Sequence, residues 1–454
     1  MKPIHRQICE NIALAVRDRG GCAYYVGGCV RDELMGRSSL DTDVEIHGIA
    51  PGELGEILSS IAPSREVGKS FGIYTLGGDG SGIDVALPRR EVSTGEGHRD
   101  YEIEIDPWAG PAESARRRDF TVNAMMKDVL SGEVLDFFGG REDLSLRRLR
   151  HVDAASFVSD PLRVFRAAQF CARFGFTLDD ETVSLCRDMS VAALSAERVR
   201  EELFKALEGS VSPSVFFDVL VCCGHLREWF GEVESLRGVP QDPLYHPEGD
   251  VYTHTMMVLN AAADLKHRSS DPVSFMLSAL CHDLGKADTT SESNGRIHAY
   301  SHEDSGVRFA GALLERLRCS SSQKRYVLNM VKLHMKPAAE ASAASKLKKT
   351  NRMFYDSVCP EDLVLLAEAD YRGCGGTLTY FPHGAFLRDR LARFRQIMAE
   401  PPISGRELIE NGAEPGEAFG EYLDYALKLK LAGEDRASQL RQTLAYIRKR
   451  KFER

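Results

Sequence analysis

Asp41 and Asp43 stand two residues apart in the run Leu40-Asp-Thr-Asp-Val-Glu-Ile46. The alternation of types predicts a strand, whose period of two puts Asp41, Asp43 and Glu45 on one face. Carboxylates held side by side on a rigid strand repel one another unless a cation sits between them. Where phosphate chemistry is involved, that cation is usually Mg²⁺. Just upstream, Tyr24-Tyr-Val26 predicts a short strand broken by Gly27-Gly28, then a helix from Cys29 to Met35 ended by Gly36. A glycine pair between strand and helix lets main-chain N–H groups approach a ligand closely. The helix N-terminus, with Arg31 in its first turn, adds the positive potential that suits a phosphate. Either feature alone reads as a glycine turn or an acidic edge strand. Together they predict a nucleotide–metal site.

The elements around these residues continue an α/β head with a mixed or antiparallel sheet. Residues 51–62 predict a helix, and 67–78 and 82–90 two strands separated by a glycine-rich turn. Asp84 interrupts the second of these strands, either as a plain edge-strand residue, as a third metal ligand, or as the base that polarises an attacking hydroxyl. Glu91 to Ala115 is polar and rich in Gly and Pro, which predicts a mobile loop followed by a capped helix start. Arg116-Arg-Arg118 before Asp119 would place cations in a first helical turn, against the dipole. A triphosphate clamp explains such a run, with Arg118 on the nucleotide and Asp119 orienting it. From His151 onward the pattern is helical, and Asp160, Arg163 and Arg166 fall at helical spacing near one face. On spacing alone they form a surface ion-pair ladder.

These stretches resemble the superfamily of class II tRNA nucleotidyltransferases and bacterial poly(A) polymerases. GG-x-x-RD followed by D-x-D, then RRDFT-x-NA, Leu135-Asp-Phe-Phe-Gly-Gly-Arg-Glu-Asp-Leu144 and Ala196-Glu-Arg-Val-Arg-Glu-Glu-Leu203 all match its motifs. The resemblance implies that Gly28 and Arg31 hold the incoming triphosphate and that Asp41 and Asp43 hold catalytic Mg²⁺. It also implies that Asp160 and Arg163 pair with base edges, selecting CTP or ATP as a protein template. Ser159 stands where the family usually has Glu, and Gln169 where many members have Arg. Both departures bear on base selectivity.

A second constellation begins near residue 240. His246-Pro-Glu-Gly-Asp-Val-Tyr-Thr-His254 precedes Leu280-Cys-His-Asp-Leu-Gly-Lys286, followed by His298, His302, Glu303, His334 and Asp370. A tandem His-Asp on a helix offers adjacent ligands, which a lone His and a late Asp complete into a shell for a divalent, here a transition, metal. The run resembles the HD phosphohydrolase pattern H…HD…D, carried by His254, His282, Asp283 and Asp370. His298, His302 and His334 are then candidates for a second metal or a phosphate contact. The resemblance implies hydrolysis of phosphoesters such as 2′,3′-cyclic phosphates; a degraded fold kept as scaffold is the alternative.

The chain has 454 residues, 43% hydrophobic and 28% charged, which implies two to four soluble domains. The expected divisions are a catalytic head (1–145), a helical base-recognition and RNA-binding neck (146–238), an HD domain (239–375) and a helical tail probing tRNA (376–454). A net charge of −9 does not mark a nucleic-acid binder, yet basic clusters occur at Arg116–Arg118, Lys346–Lys349 and Arg448–Lys451. Eleven cysteines without a CxxC argue for reduced thiols and a cytoplasmic setting, and no apolar run is long enough for a membrane. The N-terminal stretch predicts an amphipathic helix rather than a signal peptide. The expected activity is metal-dependent addition of CCA to the tRNA 3′ end from CTP and ATP. A poly(A) polymerase, an A-only or CC-only enzyme, and a nucleotide-sensing phosphohydrolase with a non-catalytic head are the alternatives. Oligomeric state is not legible.

Overall fold

Apolar periodicity switches between three-to-four and two along the first third of the chain, and helices alternate with strands accordingly. The structure is a computed structural model that describes residues 3–39, 41–67, 72–76, 82–93, 101–375 and 380–452. The elements run α1 (Pro3–Arg17), β1 (Cys22–Val26), α2 (Gly28–Leu34), β2 (Thr42–His47), α3 (Pro51–Ile61), β3 (Ser64–Val67), β4 (Ile73–Leu76) and β5 (Ile83–Ala86). There follow β6 (Arg89–Ser93), β7 (Tyr101–Ile105), α4 (Pro111–Arg116), β8 (Met126–Asp128), β9 (Val134–Leu135) and α5 (Gly140–Ser145).

Seven of these strands form one sheet in the order β3-β4-β5-β2-β1-β8-β9. The β2–β5 pair is parallel and all the others are antiparallel, so the sheet is mixed. Val44 and Ile46 of β2 and Ile83 and Val85 of β5 point to one face, where they are buried with Ile12 and Val16 of α1 and Leu54 and Leu58 of α3. Burying each such side chain contributes about 1.5–3 kcal/mol, so this face fixes the register of the sheet. The alternate residues Asp43, Glu45 and Asp84 are thereby turned to the other face.

Two expectations for the head need correction. The strand expected over 67–78 is described only as β4, and its antiparallel partner β3 ends at Val67, where the expected strand begins. In the stretch from Glu91 to Ala115, expected as a loop followed by a helix start, α4 is that helix, but the expected loop holds most of β6 and all of β7, because Tyr101-Glu-Ile-Glu-Ile105 alternates like a strand. Residues 94–100, within the stretch expected as a mobile loop, and Leu40 lie outside the described residues.

The chain divides into two compact units: residues 1–194 with 215–225, and residues 195–214 with 226–454. The first unit continues beyond its sheet through β10 (Arg148–Leu149), α6 (Ala154–Val158), α7 (Leu162–Phe174) and β11 (Thr177–Leu178). Residues 215–225 return to this unit. Phe216 lies 6.4 Å from Phe165 of α7, and His225 Nε2 is 2.7 Å from the Cys186 carbonyl.

Among its described residues the second unit is helical apart from one hairpin, β12 (Thr290–Ser293) and β13 (Arg296–Ala299). Asn294 and Gly295 close it at φ +53° and +71°, as a two-residue type I′ turn requires. Helix Val251–Leu265 packs on Pro360–Gly373 and on Pro272–Cys281. The tail helices Phe419–Leu431 and Arg436–Phe452 close a separate small core around Leu408, Tyr422, Ala426 and Ile447. Among the described residues, no helix is long and apolar enough to cross a membrane.

Candidate active site and candidate metal centre

Parallel pairing of β2 with β5 sets Asp43 directly opposite Asp84. Neighbouring strands lie about 4.8 Å apart, so the two carboxylates share one patch of the sheet face. Burial pushes the Asp43 carboxyl up, and Asp84 and Asp41 push it further while Arg118 opposes them. A desolvated carboxylate facing two others is short of positive charge, which fits a divalent cation. Asp41 is exposed and precedes β2 rather than lying within it. Asp41, Asp43 and Asp84 do not close to 4.8 Å as a triad. Among the described residues, such three-ligand groups occur only in the second unit.

Arg118 reaches this patch through two devices. Glu45 Oε2 accepts from Arg118 Nη2 at 3.3 Å, and Gly27 leaves room for Nη1. A Cβ on Gly27 would sit 3.0 Å from that nitrogen and 3.7 Å from Asp43 Oδ2, at a φ of +71°. The first glycine of the pair is therefore the one whose missing side chain the site uses. Gly28 opens α2, and a Cβ there would meet Arg31 Nη2 at 3.4 Å. Glu45 is itself buried. Burial would raise its carboxyl, but hydrogen bonds from His47 and Ser114 and the Arg118 charge hold it at about 2. The cleft so lined, with Asp43, Asp84, Arg89, Arg117 and Arg118, has a volume of about 390 Å³.

Arg116 ends α4 and Arg117 caps it, so these two arginines crown a helix C-terminus, where the dipole favours them. The expected basic first turn is absent for that reason. Asp119 does not orient Arg118. It is buried, accepting from Arg166 Nε at 2.7 Å on one oxygen and from Phe120 N–H and Asn123 Nδ2 on the other. Burial opposes its ionisation, yet Arg166 and these donors outweigh it and hold the carboxyl below its usual range. Arg31 joins the same network: 4% exposed, it donates to Asn123 Oδ1 at 2.7 Å and twice to Asp32, with its guanidinium 4.2 Å from the Phe174 ring. Arg31, Asn123, Asp119 and Arg166 thus form one continuous brace from α2 to α7.

Arg163 donates to the carbonyls of Ser156 (2.5 Å) and Arg117 (2.7 Å), while Asp160 lies before α7 and accepts from Leu162 N–H at 3.1 Å. Only Arg163 and Arg166 of the expected ladder are helical, because Pro161 begins the turn between Asp160 and α7. In the turn over 135–144, Asp136 accepts from the Gly140 and Arg141 N–H groups. Asp143, fully buried, holds Arg148, Arg150 and Thr121.

The second unit gathers its ligands more tightly. His254 comes from helix Val251–Leu265 and Asp370 from Pro360–Gly373; His282 caps the C-terminal end of Pro272–Cys281, so His282-Asp283 follows that helix rather than riding on it. His254 Nε2 lies 3.1 Å from Asp370 Oδ1 and 3.4 Å from His282 Nε2, and Asp283 Oδ2 is 3.2 Å from His282 Nε2. On the other side of Asp283, Oδ1 is 3.3 Å from His302 Nε2, which is 3.2 Å from His334 Nε2. Bonds of about 2.0 Å at tetrahedral angles put ligand atoms about 3.3 Å apart, so both groups have the spacing of a coordination sphere. Asp283 lies between them, and its Oδ1 is buried without a hydrogen-bond partner.

Every one of these imidazoles is fixed through Nδ1. His282, His302 and His334 bond the carbonyls of Ala279, Ala299 and Val331 at 2.7–2.8 Å, and His254 bonds Glu248 Oε1 at 2.7 Å. That assignment leaves Nε2 of each facing inward as an acceptor, as metal ligation needs. Burial would protonate Asp283, but Lys286 Nζ at 2.7 Å and the neighbouring imidazoles keep it well below the carboxylate range.

His302 and His334 therefore join the cluster, whereas His298 stands apart, stacked on Tyr300. Glu248 is a residue that motif spacing did not single out. Its Oε1 also takes His246 Nδ1 at 2.9 Å, and the signal was present in His246-Pro-Glu248, a carboxylate between two histidines.

Residues 23–150 match the Poly A polymerase head domain family and residues 251–372 the HD domain family. The multifunctional CCA protein of Nitrosococcus oceani is 38% identical over 409 residues, 88% of this chain and 95% of its own. That of Xanthomonas campestris pv. campestris is 36% identical over 431 residues, 92% of this chain and 99% of its own. Among solved structures, the Bacillus stearothermophilus CCA-adding enzyme in complex with CTP matches at a TM-score of 0.70 and 22% identity over 100% of both chains. The Thermotoga maritima CCA-adding enzyme complexed with tRNA matches at 0.66 and 20% identity, over 98% of this chain and 96% of that one. At those identities the likeness is one of fold.

Proposed function

Because the chain belongs to the family of multifunctional CCA proteins, we propose that it adds CCA to the 3′ end of tRNA from CTP and ATP, at the cleft where β2 pairs with β5. The register pair Asp43–Asp84, facing an Arg118 seated by Gly27 and Glu45, carries this reading. It places paired carboxylates next to a cation aimed into the same cleft, the layout that a triphosphate and its ion require.

Asp43 and Asp84, with Asp41 at the rim, would hold Mg²⁺. The bound ion supplies charge neutralisation at the α-phosphate and a more acidic RNA 3′-hydroxyl. The protein's own part is positional. Arg118 binds the triphosphate oxygens, and Gly28 admits them close to the main chain at the start of α2. Arg31, Asp119 and Arg166 keep α2 and α7 in a fixed relation, so that the nucleotide meets the same surface at each addition. Asp160, just before α7, and Arg163, in its first turn, would read a base edge: a carboxylate accepts from an exocyclic amine, and a guanidinium donates to ring nitrogen and carbonyl.

The test uses purified protein, Mg²⁺ and tRNA transcripts ending before CCA, after CC, or complete, each offered CTP, ATP or both. Addition of CC then A, stopping there, is the expected result. A alone on the CC-ended RNA would make it an A-adder, and long A tails a poly(A) polymerase.

The arrangement around Asp283 favours a second activity in the same chain. Its two oxygens face separate ligand groups, His254/His282/Asp370 and His302/His334, a layout suited to two divalent transition-metal ions and to hydrolysis of a phosphoester. Ring opening of a 2′,3′-cyclic nucleotide to its monophosphate, and inorganic phosphate release from a nucleoside 2′-phosphate, both lost in Asp283→Asn, test it.

A further inference from the structure

Arg296, His298 and Tyr300 alternate along β13 and the residue after it, so their side chains share one face of the hairpin. All three line a cavity of about 670 Å³ whose floor holds Asp283, Asp370 and His302. That volume lies in the ~300–1,000 Å³ range of pockets that enclose a ligand of nucleotide size. The chemistry of the cavity is graded. At the floor are the ligand groups and Lys286; at the rim are rings, with Tyr300 74% exposed and Tyr245 64% exposed. Tyr300 and His298 already stack, with ring centroids 5.1 Å apart and planes within 16°. Such a stack presents a flat π-face, and a nucleobase adds to it as one further layer. The type I′ turn at Asn294-Gly295 and the register Thr290↔Ala299 set the backbone that carries that face.

We propose that the β12–β13 hairpin is the base-reading wall of the metal-centre cavity: Tyr300, backed by His298, stacks on the nucleobase of a nucleotide whose phosphoester lies at Asp283, and Arg296 contacts its polar edge. This rests on reading the cluster around Asp283 as a phosphohydrolase. The hairpin then separates nucleotides from base-free phosphoesters, which the floor alone cannot do because it contacts only the phosphate.

The full-length protein, its Tyr300→Ala variant and its Tyr300→Phe variant are compared on adenosine 2′,3′-cyclic phosphate and on glycerol 1,2-cyclic phosphate. The expected result is that Tyr300→Ala lowers the ratio of kcat/KM for the nucleotide over the glycerol ester about tenfold, the size of one aromatic–base stack, while Tyr300→Phe preserves it. An unchanged ratio overturns the proposal. So does an equal loss on both substrates, which would make the hairpin a support for the floor rather than a reader of the base. The fluorescence of 2-aminopurine riboside 2′-monophosphate gives an answer independent of turnover. Quenching that is lost in Tyr300→Ala upholds the stacking wall even where neither ester is hydrolysed, a result that sinks only the phosphohydrolase reading; equal quenching in both proteins overturns the wall.

Discussion

Glu45 shows how one buried carboxylate can govern a site it need not touch chemically. It holds Arg118 over the Asp43–Asp84 patch and is held in turn by His47 and Ser114. Its carboxyl lies at about 2 in the folded chain, against an ordinary value of 4.5. A depressed acid stabilises the fold above its unfolded pKa and loses that contribution as pH falls through the folded one, so the window runs from about 4.5 down to about 2. The contribution at neutral pH is on the order of 3 kcal/mol. Glu45→Gln is therefore expected to flatten the dependence of unfolding free energy on pH across that window and to raise the KM for CTP, both measurable on one preparation. In the second unit Glu248 plays a comparable part toward His254. Glu248→Gln should weaken metal binding by roughly 10–100-fold, read by titrating Mn²⁺ or Zn²⁺ into metal-free protein, without altering the ligands themselves. Neither carboxylate was legible as an anchor in the sequence. Spacing shows which residues share a face, whereas Glu45 and Glu248 act through partners that only the fold brings near. The same holds for Asp119, adjacent to Arg118 in the chain but bonded to Arg166, 47 residues on.

At the scale of elements, the strand–glycine–helix unit β1–α2 and the strand β2 follow directly from residue types. The period of two in Thr42–His47 is clear, and only glycine suits the break at Gly27, with φ +71°. Gly27→Ala places a Cβ against Arg118 and strains the backbone, and is expected to cost about 1–3 kcal/mol of stability and most nucleotide incorporation. Gly28→Ala meets Arg31 Nη2 at 3.4 Å, an ordinary contact distance, without the positive φ of Gly27, so its melting temperature should fall less. The β6–β7 hairpin was illegible for the opposite reason: Gly and Pro on both sides of a short alternating run masked it. Asp160 was placed on a helix that Pro161 delays by two residues. The His-Asp pair was legible because its types are rare and close together, although its position past the helix end was not.

Across the whole molecule, the two compact units have separate cores, and only the second carries tightly spaced ligand groups among the described residues. Ligand binding to the folded state alone stabilises by about 4 kcal/mol at a thousandfold excess over Kd. Chelation is thus expected to lower the melting temperature of one thermal transition by several degrees and to leave the other nearly in place, as scanning calorimetry with and without a chelator would record. The chain does not pass between the units once. It enters the second at 195, returns to the first over 215–225, where Phe216 covers Phe165, and leaves again. A gene cut at any single point before 226 strands part of one core in the other fragment. A single cut therefore cannot part the unit that carries the His–Asp cluster from the unit that carries the sheet. The cluster's ligands can be removed one by one, by substitution, with the helices that carry them retained.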